Sequence, residues 1–145
     1  MRRLHRPDSV SYTHLDVYKR QAIAIVDDDQ PLREALASIM MAAGFQTNTF
    51  ASAEEFIYSP SRRDTACLIL DIRLPRMSGI ELQRYLFDAN SQIPIIFVTA
   101  HGDTALRNLV MNAGAAGFLT KPVRSDALLK EIHAALKKPR TDTQA

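Results

Sequence analysis

Between residues 22 and 120 the chain repeats one pattern: a short apolar run, a polar break, then a segment whose apolar residues recur at helical spacing. The runs cover residues 22–26, 67–71, 93–100 and 115–120, and a weaker alternation covers 45–50. Short apolar runs bounded by turn formers read as strands covered on both faces. The first helical segment starts at Pro31, carries Leu32, Leu36, Ile39, Met40 and Ala43, and stops at Gly44. Ser52 and Glu55 form a capping-box signature for a short helix over residues 53–58, and residues 59–65 read as a loop. Ile80, Leu82, Tyr85, Leu86 and Ala89 mark a third helix. Leu106, Leu109, Val110 and Ala113 mark a fourth, capped by Asp103 or Thr104. Ser125 opens a fifth, with Leu128, Leu129, Ile132 and Leu136 on one stripe and Pro139 at its end. Five strands in strict alternation with five helices predict an α/β fold with a parallel, doubly wound sheet.

The segment Cys67-Leu68-Ile69-Leu70-Asp71-Ile72-Arg73-Leu74-Pro75 brings a single carboxylate to the end of a strand. On this segment alone Asp71 has two readings. It caps the following turn, or it is presented at the carboxyl edge of the sheet, where open α/β sheets keep their ligands. The other strands bear on the choice. Strand one ends at Asp27, Asp28 and Asp29, strand four at Thr99 and strand five at Lys121. In a parallel sheet these ends face one way, so Asp27, Asp28, Asp71, Thr99 and Lys121 converge. Asp29 is expected to cap the first helix.

Carboxylates brought together repel unless a cation sits among them. An oxygen-only set without His or Cys suits Mg²⁺. Lys121 adds a point charge for anionic oxygens and Thr99 a hydroxyl. These are the parts for phosphoryl transfer to a carboxylate, with Asp71 as the nucleophile. Each also has a plain structural role: a solvated acidic turn, a β-branched strand residue, a surface lysine. The joint reading rests on their placement at successive strand ends.

The 145 residues fit one domain, and 46% hydrophobic with 23% charged residues is the composition of a globular protein. No apolar run approaches the roughly 20 residues of a membrane span, and no signal-peptide pattern opens the chain. The single Cys67 cannot pair internally, which fits a packing role and a reducing, cytoplasmic setting. The net charge of +2 does not imply nucleic-acid binding. Residues 1–21 carry five basic against two acidic side chains, so the other 124 residues sum to one negative charge. Residues 1–21 show no periodicity continuous with the strand-and-helix pattern from Ala22 onward, and residues 10–21 closely resemble a translated sequencing-adapter or vector artefact. The expected organisation is a non-native or disordered leader at 1–21, one domain at 22–137 and a tail at 138–145.

Four spaced segments carry a family resemblance: Ile25-Val26-Asp27-Asp28-Asp29, Leu70-Asp71-Ile72-Arg73-Leu74-Pro75 with Gly79, Val98-Thr99-Ala100, and the run from Gly114 to Lys121-Pro122. Together they resemble the receiver domain of bacterial two-component response regulators over about residues 22–137. Ser52-Ala53-Glu54-Glu55-Phe56 and Thr99-Ala100-His101-Gly102-Asp103 look closest to the nitrogen-fixation regulator subfamily. The resemblance implies a flavodoxin-like fold with strand order 2-1-3-4-5. It implies that Asp71 accepts phosphate from a sensor histidine kinase. Asp28, Asp71 and the backbone carbonyl of Arg73 would hold Mg²⁺, with Asp27 acting through a water. Lys121 would pair with the phosphoryl oxygens, its bond to Pro122 would be cis, and Thr99 and Phe118 would be the switch residues. A homodimer through the face of the fourth helix, fifth strand and fifth helix is a further implication. No direct nucleic-acid binding by this domain and no membrane partner are expected.

Arg73 and His101 flank the place of an attacking water and should set how long the phosphate survives. His133 reads as a surface residue. Members of the subfamily often continue into a helix-turn-helix domain, so the chain also reads as the N-terminal part of a transcription factor. A pseudo-receiver that binds partners without phosphate is a further alternative, against which the complete acid, Thr and Lys set argues. An Asp-nucleophile phosphatase of the haloacid dehalogenase type is another. That class is expected to place an acid two residues after the nucleophile, where this chain has Arg73.

Overall fold

In the computed structural model, residues 21–100 and 102–138 are described. The leader up to residue 20, His101 and the tail from Pro139 onward, including the expected helix stop at Pro139, lie outside the described residues. The strands are β1 (Ala22–Val26), β2 (Gln46–Phe50), β3 (Thr65–Leu70), β4 (Ile95–Thr99) and β5 (Gly117–Thr120). The helices are α1 (Gln30–Ala42), α2 (Ala53–Tyr58), α3 (Gly79–Asp88), α4 (Thr104–Asn112) and α5 (Ser125–Lys137). All paired strands are parallel, in the order β2-β1-β3-β4-β5.

The apolar runs lack polar alternation because both faces of the sheet are covered. Side chains alternate along a strand, so Ile23, Ile25, Cys67, Ile69, Ile96 and Val98 point to one face and pack on Leu36 and Met40 of α1 and Leu128 and Ile132 of α5. Ala24, Val26, Leu68, Leu70 and Phe97 point to the other and pack on Phe56 of α2, Leu82 and Leu86 of α3 and Val110 of α4. The single thiol, Cys67, is part of the first layer and is buried.

The helix starts follow the capping logic. Asp29 accepts the Leu32 N–H, Ser52 the Glu55 N–H and Asp103 the Leu106 N–H, while Ser78 and Glu81 make a reciprocal capping box at α3. Helix α5 differs: Arg124 stands at its cap without a side-chain cap bond and pairs instead with Asp126 in the first turn.

Several sequence expectations are corrected. Residues 60–64 form a 3₁₀ turn that Ser59 caps, and Thr65, assigned to the loop by sequence, is the first residue of β3. Strands β4 and β5 begin later than the apolar runs suggest. Tyr85 and Leu109, placed on buried stripes by spacing, are exposed. On α4 the core takes only Val110 as a buried residue, with Leu106 and Met111 packed partly against it.

Phe97 is fully buried at the centre of one layer, whereas Met41 on α1 is more than half exposed. Replacing Phe97 by Ala is expected to cost about 3–5 kcal/mol and Met41 by Ala no more than about 0.5 kcal/mol, as read from denaturant unfolding.

Candidate functional site

The carboxyl edge of the sheet is fixed by backbone bonds that run one rung past the strands. Asp27 N–H donates to the Phe50 carbonyl (3.1 Å), Asp71 N–H to the Val26 carbonyl (3.1 Å) and Lys121 N–H to the Thr99 carbonyl (2.9 Å). Each functional residue therefore leaves the sheet from a defined position. Glycine at 79 allows α3 to start directly against this edge. Its N–H bonds the Ile72 carbonyl at 2.8 Å, and a Cβ there would sit 2.2 Å from the Asp71 carbonyl oxygen.

The side chains meet around Lys121. Its ammonium lies 3.0 Å from Asp27 Oδ2 and 2.9 Å from Asp71 Oδ2, reaching across β4 to do so. The remaining oxygens are occupied locally: Asp27 Oδ1 accepts the Asp29 N–H at 2.9 Å, and Asp71 Oδ1 accepts the Arg73 N–H at 3.2 Å. Asp27 and Asp71 are buried and Asp28 is exposed. One carboxylate oxygen from each of Asp27, Asp28 and Asp71 lies within 4.8 Å of the others. Three carboxylates against one ammonium leave two negative charges, which fits a divalent hard cation held by oxygen ligands. The cation that already relieves the repulsion between Asp27 and Asp71 is Lys121.

The other singled-out residues fall around this cluster. Thr99 is fully buried at the end of β4, and Phe118 is buried in the layer under α4. The Lys121–Pro122 peptide is cis. Arg73 contributes its N–H to Asp71 while its side chain is exposed. His101 lies outside the described residues. His133 is exposed, with its ring 5.9 Å from that of Phe45.

Sequence reasoning passed over four supports. Arg33, one turn into α1, donates to the Asp27 carbonyl at 2.7 Å. Glu54 of α2 accepts the Met77 N–H at 3.1 Å and so braces the loop that follows Asp71. The Arg107 guanidinium lies 5.9 Å from the Phe118 ring centroid. Gly102 packs so closely on Thr120 and Phe118 that a Cβ would fall 2.0 Å from Thr120 Cγ2. Only the last had a visible signal, a glycine directly before a helix cap.

Burial is the largest influence on Asp27 and raises its pKa above the usual 3.8. The Asp29 N–H and the Lys121 ammonium oppose it, and the Asp71 charge adds to it. Folded Asp27 thus keeps its proton to higher pH than an unfolded chain would, and through this group stability falls as pH rises through the window just above 3.8. For Lys121 burial is also the largest single influence and lowers its pKa. The bonds to Asp71 and Asp27 outweigh it and hold the pKa above 10.5, so its contribution is complete below pH 10.5 and is lost as pH rises through the folded value.

A family model described as "Response regulator receiver domain" matches residues 23–133. Response regulator protein TodT of Pseudomonas putida is 44% identical over 119 residues, which are 82% of this chain and 52% of TodT. The crystal structure of FixJ-N superposes with a TM-score of 0.73 at 36% identity, covering 81% of this chain and 94% of that one. The CheX-CheY-BeF3-Mg+2 complex of Borrelia burgdorferi gives a TM-score of 0.75 at 27% identity, over 81% of this chain and 90% of that one. The chain spans about half the length of the curated relatives it matches.

Removing the ammonium in Lys121→Ala is expected to raise the Asp27 pKa further, whereas Asp71→Asn, which removes a neighbouring negative charge, is expected to lower it. A carboxyl-carbon NMR titration without divalent metal reads both directions.

Proposed function

This chain belongs to the response regulator receiver domain family of two-component signalling, and we propose that Asp71 is its phosphoacceptor. The observation that carries this reading is the placement of Asp71 at the strand end beside two further carboxylates, with the Lys121 ammonium 2.9 Å from its Oδ2. A carboxylate oxygen of Asp71 attacks the phosphorus of a sensor kinase phosphohistidine. The O–P bond forms, the P–N bond breaks and the electron pair leaves with the imidazole nitrogen. Lys121, already charged, stays within reach of the transferred oxygens, and buried Thr99 lies at the end of the intervening strand.

Asp28, Asp71 and the Arg73 carbonyl would hold Mg²⁺, with Asp27 through a water. The exposed Asp28 carboxylate makes no hydrogen bond or ion pair among the described residues, which leaves it open to a cation. Bound there, the ion would neutralise charge on the phosphoryl oxygens. The presence of Mg in the Borrelia burgdorferi complex supports this choice.

Phosphorylation replaces the single negative charge of the Asp71 carboxylate with a phosphoryl group carrying roughly −1.5 to −2, a net gain of at most about one negative charge together with three acceptor oxygens. That charge draws on Lys121 and Thr99 and biases Phe118 and the α4-β5-α5 face, which is the surface for a phosphorylation-dependent homodimer. Arg73 and His101 tune the lifetime of the acyl phosphate. The reading includes a cytoplasmic location, no nucleic-acid contact by this domain and no catalytic turnover on other substrates. Among the described residues no helix is long and apolar enough to cross a membrane. The output we propose is control of transcription, because matched relatives such as FixJ of Rhizobium meliloti are described as transcriptional regulatory proteins.

Incubation with acetyl phosphate and Mg²⁺ is expected to retard the chain on a phosphate-affinity gel. Asp71→Asn or a chelator should abolish the retarded band, and its persistence in Asp71→Asn would sink the assignment.

A further inference from the structure

The α3 and α4 helices leave a groove of about 610 Å³ between them. Its walls include Ile80, Arg84, Phe87 and Asp88 of α3 and Leu109 of α4. Phe87 is 72% exposed and Leu109 54% exposed, two of the five large apolar side chains left open on the described surface. Helical spacing puts residues 80, 84, 87 and 88 on one side of α3. Gln83, buried one position away, donates to the Val110 carbonyl at 3.0 Å and fixes α3 against α4, so the groove has firm walls. We propose that the unphosphorylated chain pairs with a second copy of itself through this groove.

The charges select the occupant. Arg84 and Asp88 stand one turn apart, flank Phe87 and are exposed, and neither makes an ion pair among the described residues. In a twofold pair the same patch serves both copies, so residue i meets j while j meets i. Two α3 helices crossing antiparallel about such an axis bring Arg84 of each copy to Asp88 of the other. Phe87 of each copy then enters the groove beside Leu109 of its mate. The patch has an apolar centre and a polar rim, the layout of a protein interface. On that rim Arg84 and Asp88 offset one another, while Glu81, which accepts the Ser78 N–H in the capping box, adds one negative charge. A partner surface of one charge sign would meet repulsion at either Arg84 or Asp88. The apolar centre offers only Phe87 and Leu109 as large exposed side chains from each copy, so the pair is weak and concentration-dependent. It needs no phosphoryl group, and its failure would leave the receiver assignment untouched.

Sedimentation equilibrium of the full unphosphorylated chain, from about 10 µM to about 1 mM, tests this. The weight-average mass is expected to climb from 16.2 kDa toward twice that value. Arg84→Asp and Asp88→Arg alone should each weaken association at least about tenfold. An equimolar mixture of the two variants should recover it, as should the double exchange in one chain. Phe87→Ser, at an exposed position where folding is not at stake, should also weaken it. A chain that stays monomeric throughout, association indifferent to these substitutions, or a folded double exchange that remains monomeric would each overturn the proposal.

Discussion

One ammonium group holds the functional edge together. Lys121 reaches 3.0 Å to Asp27 and 2.9 Å to Asp71, and so ties the end of β5 to the ends of β1 and β3 across β4. Two buried carboxylates so close would otherwise repel, and one would be driven to take up a proton. The lysine offsets that repulsion inside the edge, while the Asp29 and Arg73 N–H groups bind the other oxygens. Pre-arranged charge in a half-buried site interacts more strongly than the same groups in water. That is the condition needed by a carboxylate proposed to receive a phosphoryl group.

The supports around the cluster link this edge to the helices. Arg33 carries it to α1, Glu54 to α2 and Gly79 to α3. On the α4 side the close approach of Gly102 to Thr120 and Phe118, with Arg107 over the Phe118 ring, joins the loop after β4 to β5. A change of charge at Asp71 therefore has several mechanical routes outward, and packed contacts of this kind shift between discrete arrangements and do not deform smoothly.

Much of this was legible in the sequence. Buried parallel strands need apolar residues on both faces, so β1, β3 and β4 stood out as runs, and their terminal acids and hydroxyl were visible as exceptions. The helix caps at Asp29, Ser52 and Asp103 followed from local hydrogen-bond chemistry, which neighbouring residues determine. What failed depended on tertiary placement. Spacing puts Leu109 on the same stripe as Val110, but the way α4 lies on the sheet buries only the latter, and Tyr85 is exposed for a similar reason on α3. The strand ends brought Lys121 and Asp27 to one edge, but their direct ion pair was not foreseen, because it spans β3 and β4 and no periodicity reports a side chain's reach across two strands. The brace from Gln83 to Val110 was equally invisible, since a glutamine on a helix ordinarily faces solvent.

Of the three carboxylates at this edge, one alone is assigned the phosphoryl group. Borohydride reduces an acyl phosphate to an alcohol at the carbon that bore it, so reduction of the phosphorylated chain followed by peptide mass spectrometry locates the acceptor. A single reduced site at Asp71 is predicted. Reduction at Asp27 or Asp28, or a phosphorylated chain with no reduced carboxylate, would contradict the assignment.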